Sequence, residues 1–271
     1  MAYKFTAIQP GKHLTSIIKN FFAIEFDKDT THTDYLVPDG LPSFFFIQTS
    51  EAIDAYFGQT GKAICIRDGL YIGYSNTVVK FTHKLVKIVG ASIFPVYVNM
   101  IFGRGLLDLI NKFSQLNIEA LKPVKELLTG NENTIPGVFA LFEEFIQDQL
   151  SNHEFNNEFL VLYERLTTSE GYYLSVEELA THLGYSTRHL HSCFRKSFGM
   201  SPKKFIKLVR FNHALKYIYE LGENKTLSFI AHEVGYHDQS HFIRDFKEIC
   251  GKTPKQILVN SDSLANKFRL F

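Results

Sequence analysis

Ser175-Val-Glu-Glu-Leu-Ala-Thr-His-Leu-Gly-Tyr185 and Thr226-Leu-Ser-Phe-Ile-Ala-His-Glu-Val-Gly-Tyr236 are one unit written twice, 51 positions apart. In each copy a hydroxyl residue stands where a helix needs a cap, and apolar side chains follow at i, i+3, i+4 and i+7. These are Val176, Leu179, Ala180 and Leu183 in the first copy and Leu227, Ile230, Ala231 and Val234 in the second. Glu178 adds a capping box to Ser175. The glycine before each tyrosine suits a left-handed residue that closes the helix. The paired alanines, 180 and 231, let a second helix cross closely.

That second helix buries Leu190, Phe194 and Phe198 in one copy and Phe242, Phe246 and Cys250 in the other, at an offset of 52, so the second turn has gained one residue. Both units stop at a glycine and restart at a proline, in Gly199-Met-Ser-Pro202 and Gly251-Lys-Thr-Pro254. The pattern predicts two helix-turn-helix units, at about 175–198 and 226–250. A single helix over about 202–220, with Phe205, Leu208, Val209, Leu215 and Ile218 on one side, is expected to join them. At 1.5 Å per residue it runs ~28 Å. With its flanks it would set the two second helices about one DNA turn apart, ~34 Å, for successive major grooves.

The faces opposite the apolar stripes carry chemistry that base edges can use. In the first copy they present Arg188, His191, Ser192 and Arg195 at i, i+3, i+4 and i+7, with Thr187 at the start and Lys196 beside them. Arginine can donate twice to guanine O6 and N7, histidine and serine can bond base edges, and lysine suits phosphate. In the second copy the face holds Gln239, Ser240, Ile243, Arg244 and Lys247. Ile243 reads two ways, as a contact to a thymine methyl or as packing against a neighbouring helix. For Arg188 and Arg244 the competing reading is a surface salt bridge, with Asp245 and Glu248 as available partners.

Taken together, Leu174-Ser-x-x-x-Leu-Ala180, Gly-Tyr-Ser-x-x-x-Leu190, Phe194-Arg-Lys, Gly-x-Ser-Pro202, Arg210-x-x-x-Ala214, Ile230-Ala-x-x-x-Gly-Tyr236, Phe242-x-Arg-x-Phe-Lys247 and Gly-x-Thr-Pro254 resemble the AraC/XylS family of bacterial transcription regulators. The resemblance covers about residues 160 to 258. Ile257-Leu258 stand where that family often has an aromatic residue and arginine. It implies binding to double-stranded promoter DNA and activation by touching RNA polymerase. Leu36-Val-Pro-Asp-Gly40, the strands that follow, Gly90-x-x-x-x-Pro95 and then helices look like the β-rich effector domains of some members, although Phe21-Phe22 replace an expected tryptophan. That second resemblance implies a sensory module for a small-molecule effector, or a homodimerisation module.

The N-terminal half has its own signals. Short β-branched and aromatic runs, 44–47, 53–57, 63–66, 70–74, 78–81 and 85–89, alternate with turn signals at Pro38-Asp-Gly40, Gln59-Thr-Gly61, Arg67-Asp-Gly69 and Ser75-Asn76. Phe44-Phe45-Phe46 reads two ways, as plain core or as the lining of an apolar, aromatic cavity. Helical patterns follow over 106–113, 118–128 with Gly130 as the stop, 135–150 and 155–166. The expected class is α+β: an antiparallel β barrel or sandwich of roughly six to eight strands with flanking helices over 1–155, then an all-α DNA-binding domain over 156–271. The flanking helices are expected to cover one side of the sheet and supply a self-association surface.

Composition narrows the remaining classes. The formal net charge of +1 divides into −4 for residues 1–166 and +5 for 167–271, where seven of the eleven histidines also lie. A basic end agrees with a nucleic-acid partner, and its modest size is equally that of an ordinary solvated surface. No apolar run reaches membrane-spanning length and the start lacks a signal-peptide pattern, so the cytoplasm is expected. Cys65, Cys193 and Cys250 are too few and scattered for a disulfide framework or a metal site, and the last two read as small packing residues. His232-Glu-x-x-x-His237 has the wrong spacing for zinc, His13, His32 and His83 are dispersed, and Gly103-Arg-Gly105 lacks the rest of a phosphate loop. No catalytic residue, metal or cofactor is expected. A non-specific nucleic-acid binder is the main alternative, and an enzyme in the N-terminal half the lesser one.

Overall fold

Ten strands before residue 117, all pairing antiparallel with one another, build two sheets in the computed structural model, which describes residues 3–26, 31–58, 63–129, 135–151, 158–167, 173–221, 226–259 and 268–269. The strands are β1 (Tyr3–Ile8), β2 (Ile18–Phe26), β3 (His32–Leu36), β4 (Ser43–Thr49), β5 (Ile53–Phe57), β6 (Ala63–Ile66), β7 (Gly69–Tyr74), β8 (Val79–His83), β9 (Leu85–Ile93) and β10 (Lys112–Leu116). One sheet runs β1-β2-β9-β4-β7-β10; the other runs β3-β8-β5-β6, with β11 (Phe268–Arg269) parallel to β3 at its edge. The six predicted runs are all strands. Four were missed, β1 to β3 and β10, so the domain exceeds the expected count.

The Phe44-Phe45-Phe46 run shows why simple alternation fails in β4. Phe45 points into an apolar layer between the sheets, with Phe22, Ile47, Ile53 and Val79, whereas Phe44 and Phe46 belong to the core on the opposite face. A strand buried on both faces reads as continuously apolar. Gly90 is paired with both Phe22 and Phe45. A Cβ there would meet Phe44 O and Phe45 Cβ at 2.6 Å and Phe22 Cζ at 2.8 Å, so the absent side chain is a packing requirement.

Helices cover the far face of the six-stranded sheet. After α1 (Val98–Phe102) and α2 (Leu106–Leu109) come α3 (Pro123–Thr129), α4 (Ile135–Leu150) and α5 (Glu158–Thr167). In α4 the buried residues Ile135, Val138, Phe139, Phe142, Phe145 and Ile146 form one stripe. Phe139 stacks on Phe21 at 5.1 Å and Phe142 meets Phe44 at 4.5 Å. The expected helix over 106–113 is a correction: it lasts four residues, Asn111 turns with φ 53°, and the chain becomes edge strand β10. Asparagine tolerates that conformation, and its side chain is held by Asn76 N and Ser75 Oγ, each 3.1 Å from Oδ1. The helix expected over 118–128 is a short 3-10 turn, Glu119–Leu121, followed by α3. Gln59-Thr-Gly61, Gly130, residues 155–157 and the boundary at 155/156 lie outside the described residues.

The C-terminal half comprises α6 (Val176–His182), α7 (Thr187–Phe198), α8 (Pro202–Leu221), α9 (Leu227–Glu233), α10 (Gln239–Cys250) and α11 (Pro254–Val259). The connecting helix was expected to bury one side. It buries more, since Ile206, Phe211 and Ala214 are covered along with Phe205, Leu208, Val209, Leu215 and Ile218. Both helix-turn-helix units pack on α8, and so does the N-terminal half. Tyr74 donates its hydroxyl to Phe198 O at 2.7 Å, Val78 N donates to Ile249 O at 3.0 Å, and Asn212 Nδ2 donates to Pro38 O at 2.9 Å. The result is a single apolar cluster from α4 to α11.

The Pro38-Asp-Gly40 turn sits in this junction. Asp39 Oδ1 accepts from Leu41 N at 2.9 Å, and burial pushes its carboxyl up to about 7, opposed by that hydrogen bond and by Lys19. Because the folded value is raised, the stabilisation is complete below the ordinary value of 3.8 and is lost as pH rises through about 7. Asp39→Asn keeps the acceptor without the charge. Between pH 5 and pH 8 the melting temperature of the wild type should therefore fall further than that of the variant; parallel pH profiles would show that Asp39 ionises without cost.

Candidate nucleic-acid interface

Both helix-turn-helix units are built by the same local bonds. Ser175 Oγ accepts from Glu178 N at 3.1 Å while Glu178 Oε2 accepts from Ser175 N at 2.7 Å, and Thr226 Oγ1 accepts from Phe229 N at 3.2 Å. At the turns Tyr185 N donates to Ala180 O and Tyr236 N to Ala231 O, each at 2.9 Å. Gly184 and Gly235 take φ of 67° and 79°, a region a side chain disfavours. Ala180 and Ala231 are buried where the helices cross. Ser186 caps α7 through His189 N, and Asp238 caps α10 through Ser240 N.

The second helix of each unit is divided into a packed side and an open one. α7 buries Leu190, Phe194, Ser197 and Phe198, and leaves Thr187, Arg188, His191, Ser192, Arg195 and Lys196 exposed. α10 buries Phe242, Asp245, Phe246, Ile249 and Cys250, and exposes Gln239, Ser240, Arg244 and Lys247. Ile243 is half-buried and packs against the core, which favours the packing reading.

The salt-bridge reading of the two arginines changes. Lys207 of α8 takes the carboxylates expected for them, with Nζ 2.8 Å from Asp245 and 3.2 Å from Glu248, and Tyr236 OH donates to Asp245 at 3.3 Å. Among the described residues no carboxylate lies within ion-pair distance of Arg188 or Arg244. Lys207 belongs to a basic stripe that the sequence reading passed over, Lys203, Lys207 and Arg210 at i, i+4 and i+7 on α8. The spacing is helical, and the buried residues between, Phe205, Ile206, Leu208 and Val209, mask it along the chain. Arg210 lies 5.1 Å over the Tyr236 ring and is half-buried, so its guanidinium is held in place.

The remaining candidate chemistry is separate from this surface. Cys250 is buried, and burial pushes its thiol up to about 12, as suits a packing residue; Cys193 is half-buried and Cys65 exposed. His83 is buried and lies 2.8 Å from Asp34. Among the described residues there is no group of three or more side chains able to hold a metal, and no helix long and apolar enough to cross a membrane.

Residues 179–259 match a family described as "Helix-turn-helix domain". The chain is 21% identical over 150 residues to a "Lactose operon transcription activator" of Staphylococcus xylosus, which covers 53% of this chain and 50% of that protein. It is 34% identical over 84 residues to an "Uncharacterized HTH-type transcriptional regulator" of Staphylococcus aureus, covering 31% of this chain and 11% of that protein. The chain thus spans about half the length of the first relative and about a tenth of the second. Among solved structures, ToxT of Vibrio cholerae is 13% identical with a TM-score of 0.47, covering 96% of this chain and 98% of that one. The C-terminal domain of a response regulator of Fusobacterium nucleatum is 28% identical with a TM-score of 0.31, covering 36% and 89%.

Proposed function

Starting from the helix-turn-helix match at residues 179–259, we propose that the chain is a transcriptional regulator of the AraC type that reads promoter DNA with α7 and α10 in adjacent major grooves. The observation that carries this reading is the duplication in three dimensions: two units with matching turn hydrogen bonds, each presenting an exposed arginine-bearing face opposite a buried one. Arg188, His191, Ser192 and Arg195 read bases in one groove, with Thr187 and Lys196 at its edge. Gln239, Ser240, Arg244 and Lys247 act in the other, and the open part of Ile243 borders it.

Residues 1–155 form the controlling module and 156–271 the reading module. The sheets enclose a cavity of about 60 Å³ lined by apolar residues including Phe22, Ile24, Phe45, Ile53 and Phe81. Any effector seated there is small and apolar unless the sheets part. The contact of the Pro38-Asp-Gly40 turn with α8 gives such a shift a route to the reader, and control follows only if the effector favours one state over another. Homodimerisation through the first module would lengthen the DNA site, and contact with RNA polymerase would make the protein an activator, as the name of its Staphylococcus xylosus relative suggests.

Selection of bound duplexes from a random pool at fixed salt tests the reading. The full chain should enrich a site with two conserved segments about one helical turn apart. Enrichment of no sequence, with binding that falls steeply in salt, would make it a non-specific nucleic-acid binder instead.

A further inference from the structure

The first half of α8 and the turn between α9 and α10 enclose a cleft of about 460 Å³, lined among others by Lys203, Lys207, Arg210, Tyr236, His241 and Arg244. Four permanent cations face two carboxylates, Asp238 and Asp245. Both carboxylates are engaged: Asp238 Oδ1 accepts from Ser240 N at 2.9 Å, and Asp245 is bound to Lys207 at 2.8 Å. Since Glu248 also takes Lys207, at 3.2 Å, that lysine is neutralised by its own neighbours. Set against the three carboxylates Asp238, Asp245 and Glu248, the four cations leave a net charge of +1, carried on the open side by Lys203 and Arg244, and a concave site concentrates that potential.

Arg244 is the link to the reading surface, being both a wall of the cleft and part of the exposed face of α10. A duplex whose major groove admits α10 has a phosphodiester strand bordering that groove on either side. We infer that the cleft seats one backbone phosphate of the strand beside α10, between Lys203, Arg210 and Arg244. Arg210, held over Tyr236 and hydrogen-bonded to it, adds a fixed positive charge, and the exposed Lys203 adds a point charge. Such a contact fixes how far α10 enters the groove and carries no base information. The inference rests on the DNA-reading function proposed above.

The test uses the full chain and the duplex it selects. Lys203 is exposed, so Lys203→Ala should fold normally, weaken all duplexes alike, leave base preferences unchanged, and flatten the dependence of log affinity on log salt by about one. A single methylphosphonate at the matching position should weaken the wild type, and should weaken Lys203→Ala by less, because only Arg210 and Arg244 then remain on that phosphate. Wild-type affinity and salt slope in both Lys203→Ala and Lys203→Glu, with Arg244→Ala still impaired, would overturn the cleft while leaving the DNA reader standing. Loss of inorganic phosphate binding in Lys203→Ala without any change toward the duplex would assign the cleft to a free anion and overturn it too. Conversely, a wild type that binds every duplex alike defeats the base-reading function, yet a flattened slope in Lys203→Ala would still support the cleft.

Discussion

Phe205→Ala should lower the stability of the folded chain by about 3–5 kcal/mol, as expected for truncating a fully enclosed phenylalanine. The ring is 0% exposed and lies 4.5 Å from Phe198, 5.8 Å from Phe194 and 6.2 Å from Tyr163, between centroids. Gly40 approaches it so closely that a Cβ there would stand 2.9 Å from Phe205 Cε2. One side chain therefore supports α7 of the first reader, α5 and the turn of the N-terminal module. Its loss leaves a cavity that none of these neighbours can fill without moving the others. Urea unfolding followed by circular dichroism gives the number, and a loss below ~1 kcal/mol, the scale of a surface change, would mean the junction collapses around the gap.

Arg188→Ala should change what the protein reads more than how well it folds. Arg188 is exposed and has no ion-pair partner among the described residues, so its removal leaves no buried charge behind. At the selected site it should cost ~1–3 kcal/mol and relax preference at one base position. Arg244→Ala should weaken binding through the other half of the site and more evenly across sequences, because its guanidinium also lines the phosphate cleft. Lys196→Ala, removing a phosphate contact, should weaken every sequence to a similar degree. If Arg188→Ala and Lys196→Ala both reduce affinity uniformly across sequences, α7 does not read bases.

The reading surface was largely visible in the sequence because its causes are local. Caps, turn glycines and an apolar stripe at helical spacing act within a dozen residues, so their duplication sufficed to place α6, α7, α9 and α10. The N-terminal module was less legible. Leu106, Leu109, Ile110 and Phe113 satisfy a helical template, yet the conformation of Asn111 and the pairing of Lys112–Leu116 with β7 make an edge strand. Strand β2 was missed because both its faces are buried, which erases the alternation that marks a half-buried strand. Lys203, Lys207 and Arg210 stood in plain sight at helical spacing, and their common cleft appears only when α8 meets the turn before α10.

By itself the sequence determined the paired helix-turn-helix units, the exposed side of each second helix and the positions of six strands, since each depends on periodicity and caps read along the chain. Only the tertiary structure decided that α8 is buried between the readers and the N-terminal module, that Lys207 claims Asp245 and Glu248, and that the two halves share one core. The physical reason is range. Backbone caps and helical stripes bind near neighbours, whereas the Lys207–Glu248 pair joins residues 41 apart and the burial of α8 depends on a surface 174 residues away, as Pro38 is from Asn212.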